Sequence, residues 1–202
     1  GRDRLADAGR LLRDRRFVLM LASVAFVQAA HGFYYAFSTL IWRSQGISPA
    51  WSGLLWGLGV AVEVAFLWLG EPIRRRLGPE RLLIFGAAGS VVRWGAFAFS
   101  PPLWLLFPLQ ALHALSFTAT FVASLELTDR LAPKQAASSA QSLNAALSFG
   151  LMSGLATLIS GPLYDHFGAY GYLAMAGSAA IGLVGALKLS RARPAPMASH
   201  PA

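Results

Sequence analysis

Phe17-Val-Leu-Met-Leu-Ala-Ser-Val-Ala-Phe-Val-Gln-Ala-Ala-His-Gly-Phe-Tyr-Tyr-Ala-Phe-Ser-Thr-Leu-Ile-Trp42 runs for 26 residues without a formal charge. The hydrocarbon core of a bilayer, about 30 Å thick, takes roughly 20 residues of helix to cross. A secretory signal core is only about 7–15 residues long. The stretch therefore reads as a transmembrane helix, and five more follow it: 51–70, broken only by Glu63; 82–100, broken only by Arg93; 103–125; 138–160; and 171–187. None alternates like a barrel strand, so helices are the way left to satisfy the backbone in lipid. Breakers separate them: Gly46-Ile-Ser-Pro49, Pro101-Pro102, Pro133, Gly161-Pro162 and Gly168.

Composition agrees. Apolar residues make up 55% of the 202 and charged residues 13%, against about a quarter charged in soluble domains. The absence of cysteine excludes disulfides and thiolate metal sites, and no cofactor is expected. A net charge of +8 would suggest nucleic acid in a soluble protein, but its distribution suggests otherwise. Six Arg lie in 1–16. Arg74, Arg75, Arg76 and Arg81 follow the second span, Arg130 and Lys134 the fourth, and Lys188, Arg191 and Arg193 the sixth. The opposite side has Arg43 alone. This asymmetry places both termini in the cytoplasm. Attraction to anionic headgroups suffices to explain the basic residues, so no nucleic-acid partner is expected. The chain divides into a cytoplasmic linker (1–16), a six-helix bundle (17–190) and a disordered tail (191–202). It opens on Gly1 and a basic stretch, and is read as cut from something longer.

Ionisable groups inside spans are costly and by default suggest function. His31, Glu63, Arg93 and His113 each fall near the middle of a different span, which points to one polar site at half depth, where transporters hold solute and ion. Each also has a plainer reading: Arg93 bonded to neighbouring carbonyls, Glu63 packed as a neutral acid, the two His as interhelical hydrogen-bonding groups. Glu63 and Arg93 make a natural pair, since an unpaired buried charge neutralises. A carboxylate that alternates between paired and unpaired states can carry a proton, and His113 can change charge near neutral pH. Gln110, three residues before His113, shares its face. Phe33, Tyr34, Tyr35 and Phe37 could line a pocket for a ring, although packing explains any one of them. Gly150 and Gly154 allow close helix approach.

Gly70-Glu-Pro-Ile-Arg-Arg-Arg-Leu-Gly78 and Gly161-Pro-Leu-Tyr-Asp-His-Phe-Gly168 share a Gly–polar turn–Gly layout after spans two and five. Three intervening helices point the copies in opposite directions, as in a three-plus-three inverted repeat.

Over residues 10–190 the chain resembles the C-terminal half of a major facilitator superfamily transporter, in the subgroup of the phenylpropionate and lactose permeases. The likeness rests on Ala30-His-Gly-Phe-Tyr-Tyr-Ala-Phe-Ser38, Gly53-Leu-Leu-Trp-Gly-Leu-Gly-Val-Ala-Val-Glu63, Arg76-Leu-Gly78, Val92-Arg-Trp94, Leu109-Gln-Ala-Leu-His-Ala-Leu-Ser-Phe117 and Ser160-Gly-Pro-Leu-Tyr-Asp165. The resemblance implies an all-α membrane protein, half of a major facilitator fold, in the bacterial inner membrane, partnered by a missing N-terminal six-helix half. It implies proton symport of a small organic solute, an aromatic carboxylate such as a phenylpropionate-like acid; a sugar or nucleoside symporter is the alternative. In the lactose permease a helix-nine Arg and a helix-ten His, spaced like Arg93 and His113, serve binding and coupling. Ser116 stands where that permease has a Glu, and Glu63 lies one turn beyond the match to its helix-eight Glu, at Val60. Arg93 is thus expected to bind a solute carboxylate or pair with Glu63, Glu63 and His113 to couple protons, and Gln110 and His31 to line the cavity. An intramembrane serine protease would need Gly-x-Ser-Gly; Leu151-Met-Ser-Gly154 lacks the first Gly, and span six has no His. A non-transporting scaffold is opposed by the midplane charges.

Overall fold

A computed structural model describes the backbone of residues 2–192. The expected disordered tail lies outside the described residues from 193 onward. The described chain is helical: α1 (Arg2–Leu11), α2 (Arg15–Ala29), α3 (Gly32–Ser44), α4 (Pro49–Leu69), α5 (Glu71–Leu77), α6 (Pro79–Phe97), α7 (Leu103–Ala111), α8 (Thr120–Leu131), α9 (Ala137–Asn144), α10 (Met152–Phe167) and α11 (Tyr172–Arg191). The segment read as a linker contains α1, whose Leu11 is buried in the bundle core. Asp14 caps α2 by accepting from the Phe17 N–H at 2.9 Å, and Ser48 caps α4 ahead of Pro49.

Among the described residues, four helical stretches are long and apolar enough to cross a membrane: Arg15–Ser44, Pro49–Leu69, Leu103–Leu131 and Lys134–Arg191. Large apolar side chains sit on the outside, such as Val60 at 59% exposure and Leu158 at 75%, which a water-facing surface avoids.

Among the described residues, three of the stretches read as spans are interrupted near their centres. Span one turns at Ala30–His31 between α2 and α3. Span four bends after α7, which carries Pro108, and continues as a π-helical segment, Ala114–Ala119, into α8. Proline removes a helix hydrogen bond and kinks its helix; π segments favour functional sites. A second π segment, Ala145–Leu151, joins α9 to α10.

Most of the buried apolar residues fall into two clusters. One holds Phe17, Met20, Val24, Leu82, Leu83, Ala123, Leu127 and Leu189. The other holds Phe33, Tyr34, Trp42, Leu55, Trp94, Phe97, Leu106 and Tyr172. In α2–α3, in α6 and in α7–α8 the chain passes from one cluster to the other through a polar stretch, at His31, at Ser90 and Arg93, and at Gln110 to Ser116. The polar groups therefore form a layer between two apolar cores.

Glycine sets the closest helix approach. A Cβ on Gly182 would lie 2.6 Å from Val27 Cγ2 and 2.8 Å from the Ser23 carbonyl oxygen, whereas Gly177, on the same helix, has nothing within 4 Å. Gly177→Ala should raise the thermal midpoint of purified protein, since alanine is the better helix former by about 1 kcal/mol. Gly182→Ala should lower it, by an overpacking cost of about 1–3 kcal/mol. Equal effects would sink this account of the α2–α11 contact.

Candidate functional site

Arg93 is the centre of the polar layer and is fully buried. Its guanidinium carbon lies 4.6 Å from the Tyr34 ring centroid, 4.4 Å from that of Trp94 and 5.5 Å from that of Phe97. Cation–π attraction offsets part of the lost hydration. Its two terminal nitrogens are partnered as well, while Nε is buried without a partner. Nη1 donates to His113 Nδ1 at 2.7 Å and to Ser116 Oγ at 3.1 Å; Nη2 donates to Gln110 Oε1 at 2.6 Å. Gln110 passes the arrangement on, its Nε2 donating to Tyr34 Oη and to the Leu55 carbonyl, each at 2.9 Å. The orientation of the Gln110 amide follows from these partners.

His113 has a defined role in this chain of bonds. A guanidinium has donors and no acceptor, so Nδ1 must accept, and the single ring proton of the neutral imidazole sits on Nε2. That nitrogen is 2.6 Å from Glu63 Oε1 and donates to it. A cation and a carboxylate thus lie on either side of a neutral ring. The direct Glu63–Arg93 pair expected from the sequence does not form. Three rings surround the guanidinium, its terminal nitrogens donate to three acceptors, and His113 stands between it and Glu63.

Access differs along the chain. Glu63 leaves a quarter of its side chain exposed, against 5% for His113. Gln110 and His31, expected to line a cavity, are buried. His31 Nδ1 is 3.2 Å from the Val27 carbonyl and Nε2 is 3.3 Å from Ser116 Oγ, so His31 reaches the network from behind, through Ser116. The structure therefore brings all five expected residues together, in an order the sequence did not reveal. Ser116 joins Arg93 to His31, and Tyr34 and the Leu55 carbonyl hold Gln110. The three-residue spacing Gln110, His113, Ser116 was the available signal for Ser116; nothing in the sequence marks the Leu55 carbonyl.

Chemically, Glu63 is the point at which this network can exchange a proton or meet a polar solute. A solute carboxylate cannot reach Arg93 in this arrangement, because rings and hydrogen-bond partners enclose it.

Comparison with known proteins gives the same context. A 150-residue stretch, 73% of the chain, is 33% identical to the probable 3-phenylpropionic acid transporter of Escherichia coli (strain K12), covering 39% of that protein. Over 164 residues, 80% of the chain, it is 28% identical to the maltose permease of Geobacillus stearothermophilus, covering 41% of it. An uncharacterized transporter of Bacillus subtilis (strain 168) is 21% identical over 173 residues, 83% of the chain and 43% of that protein. The chain spans about two-fifths of the length of these curated relatives. No solved structure matches. The MFS_1-like family matches residues 4–174, a range that includes all five site residues, and the chain belongs to that family of major facilitator transporters.

Proposed function

We propose that this chain is one six-helix half of a proton-coupled transporter for a small organic acid. The observation that carries the reading is the Arg93–His113–Glu63 relay, closed at Arg93 and open at Glu63. Glu63 in its ionised form repels an anionic solute; once protonated, it leaves Arg93 uncompensated behind His113 and accepts the anion. Proton and solute then bind together because each favours the other, the reciprocity that any coupling of two sites obeys. An aromatic carboxylate, as in the name of the phenylpropionic acid relative, is the solute class. His113 serves as a neutral relay and Arg93 as the fixed charge.

The same reading has six crossings in a three-plus-three inverted repeat, with both termini in the cytoplasm, an inner-membrane location, and a second six-helix half forming the other wall. Lys134–Arg191, 58 residues long, divides at the turn Gly168–Gly171, which allows two crossings. Spans one and four, equivalent in such a repeat, are both interrupted, each with a His at the break, whereas span five is interrupted without a His and its equivalent, span two, is continuous; paired interruptions in corresponding positions point to a transporter's binding site. Span three approaches span four at Gly86 and Gly89, and span six approaches span one at Gly182 and Gly185, the pairing an inverted repeat requires.

The test is proton movement. Adding 3-phenylpropionate to weakly buffered vesicles containing the intact protein, without an imposed gradient, should draw about one proton into the lumen per solute. A response to maltose instead would favour the sugar reading, for which an exposed carboxylate that accepts hydroxyls is also suited. No response to either would sink the proposal.

A further inference from the structure

A run of aromatic rings leaves the Glu63–His113 pair along the open side of the bundle. Tyr35 and Trp56 stack with centroids 6.1 Å apart and planes 18° from parallel, and Tyr35 stands edge-on to His113 at 6.5 Å. His113 stacks on Phe117 at 5.4 Å and 14°, and Phe117 on Phe121 at 6.5 Å and 5°. Tyr35, Phe117 and Phe121 belong to neither apolar core. Tyr35 is 49% exposed, and both Phe rings are partly exposed.

Two ordinary explanations do not cover these rings. Core packing covers only one side of them: Phe121 meets Phe149 edge-on at 5.5 Å, Tyr35 meets Tyr34 at 5.3 Å and Phe117 meets His31 at 5.5 Å, yet all three rings keep exposed surface. An interfacial belt, where aromatic residues sit at headgroup level, accounts for Trp51 and Trp104 at the starts of their helices, for Trp68 at the end of α4 and for Phe99 just past α6. It does not account for Phe117, one turn from His113, or for Phe121, one turn further on, which continue the stack away from the buried ion network. Each element contributes through local geometry: Phe117 and Phe121, four residues apart, lie one above the other on a helix face, and the same holds for His113 and Phe117.

We propose that Tyr35, Phe117 and Phe121 form a track that receives the ring of the solute and selects a flat aromatic ring over a saturated ring of equal size, while Glu63 meets its acid group. This rests on the acid-transport reading above and adds the residues that set selectivity. A phenyl and a cyclohexyl group bury similar apolar area, so area alone hardly separates them. Offset or edge-to-face stacking is available only to the phenyl group and is worth roughly 2- to 12-fold in affinity per ring.

Four probes separate the track from the acid site: 3-phenylpropionate, 3-cyclohexylpropionate and the two corresponding alcohols, titrated calorimetrically into the purified intact protein. The wild type should prefer phenyl over cyclohexyl by about 5-fold or more in both pairs. Phe117→Leu and Phe121→Leu should each bring that ratio toward one while leaving cyclohexyl affinity within about twofold; Phe121→Leu guards against disturbance of His113, which its ring does not touch. Phe99→Leu should change nothing. A wild-type ratio near one, or equal weakening of phenyl and cyclohexyl probes, overturns the track. If the ring ratio holds for the alcohols but the acids bind without proton uptake, the track stands and the acid reading fails. If acids bind with proton uptake at a ring ratio of one, the reverse holds. If none of the four binds, both fall.

Discussion

Glu63→Gln in the intact transporter is expected to abolish uphill accumulation of the solute driven by a proton gradient and to leave downhill exchange running. Gln has the shape of a protonated Glu and can still accept the Nε2–H of His113 through its amide oxygen, so the network should survive. What it loses is the change of charge. In the wild type an anionic solute binds only where Glu63 is protonated. Its affinity should therefore rise as pH falls, by up to tenfold per pH unit wherever Glu63 is mostly ionised, since one proton linked to binding is about 1.4 kcal/mol per unit. The solute carboxylate stays ionised over this range, so its own titration does not cancel the slope. In Glu63→Gln that slope should vanish, with affinity held near the wild type's low-pH value. Calorimetric titration between pH 5 and 8, with uptake measured in parallel, checks both parts. Normal accumulation by the variant would remove Glu63 from the coupling step. Loss of exchange as well as accumulation would instead make Glu63 a direct solute ligand whose negative charge is required, and would point to hydroxyl-bearing solutes.

How much of this could be read in advance depends on which physical signal each feature leaves. The helices were legible because a membrane demands long uncharged runs, as from Phe17 to Trp42, and the meeting of His31, Arg93, Gln110 and His113 was legible because midplane charge needs partners. The interruptions at His31 and at His113 were less so. Ala30-His31-Gly32 contains no proline, and at the π segment after His113 the Leu115 carbonyl and Thr120 lie against Gly86, a contact that exists only once the helices assemble. The order of partners was hidden for a related reason. Opposite charges on spans two and three suggest direct pairing, but Tyr34, Trp94 and Phe97 enclose Arg93, and ring positions around a guanidinium are set by three helices together. Phe117 and Phe121 escaped notice because single aromatics in apolar spans carry no signal until stacking shows which face they share.

Arg93→Ala should be the most damaging single change in the chain, to folding as well as to transport. It leaves Gln110 Oε1, His113 Nδ1 and Ser116 Oγ without their donor in a buried layer, each at about 1–3 kcal/mol, and opens a void beneath Tyr34 and Trp94. A loss of several kcal/mol is comparable to the whole stability of many domains, so purified yield and thermal midpoint should both fall sharply and uptake should drop by on the order of 100-fold or more. Arg93→Lys keeps the charge but gathers its donors on one nitrogen and loses the planar fork and its stacking on Tyr34 and Trp94; its midpoint should fall between those of the wild type and Arg93→Ala. Arg43→Ala, outside the network, is the control and should be nearly silent. The decisive comparison is the double variant. If Arg93 and Glu63 communicate through the neutral ring of His113, removing Arg93 strands Glu63 as an unbalanced charge, and adding Glu63→Gln should restore part of the stability, a coupling of about 0.5–3 kcal/mol for residues in one network. Midpoints that simply add, within about 0.5 kcal/mol, would mean that the imidazole separates the two charges without connecting them, and the relay would have to be abandoned even if Arg93 proved essential.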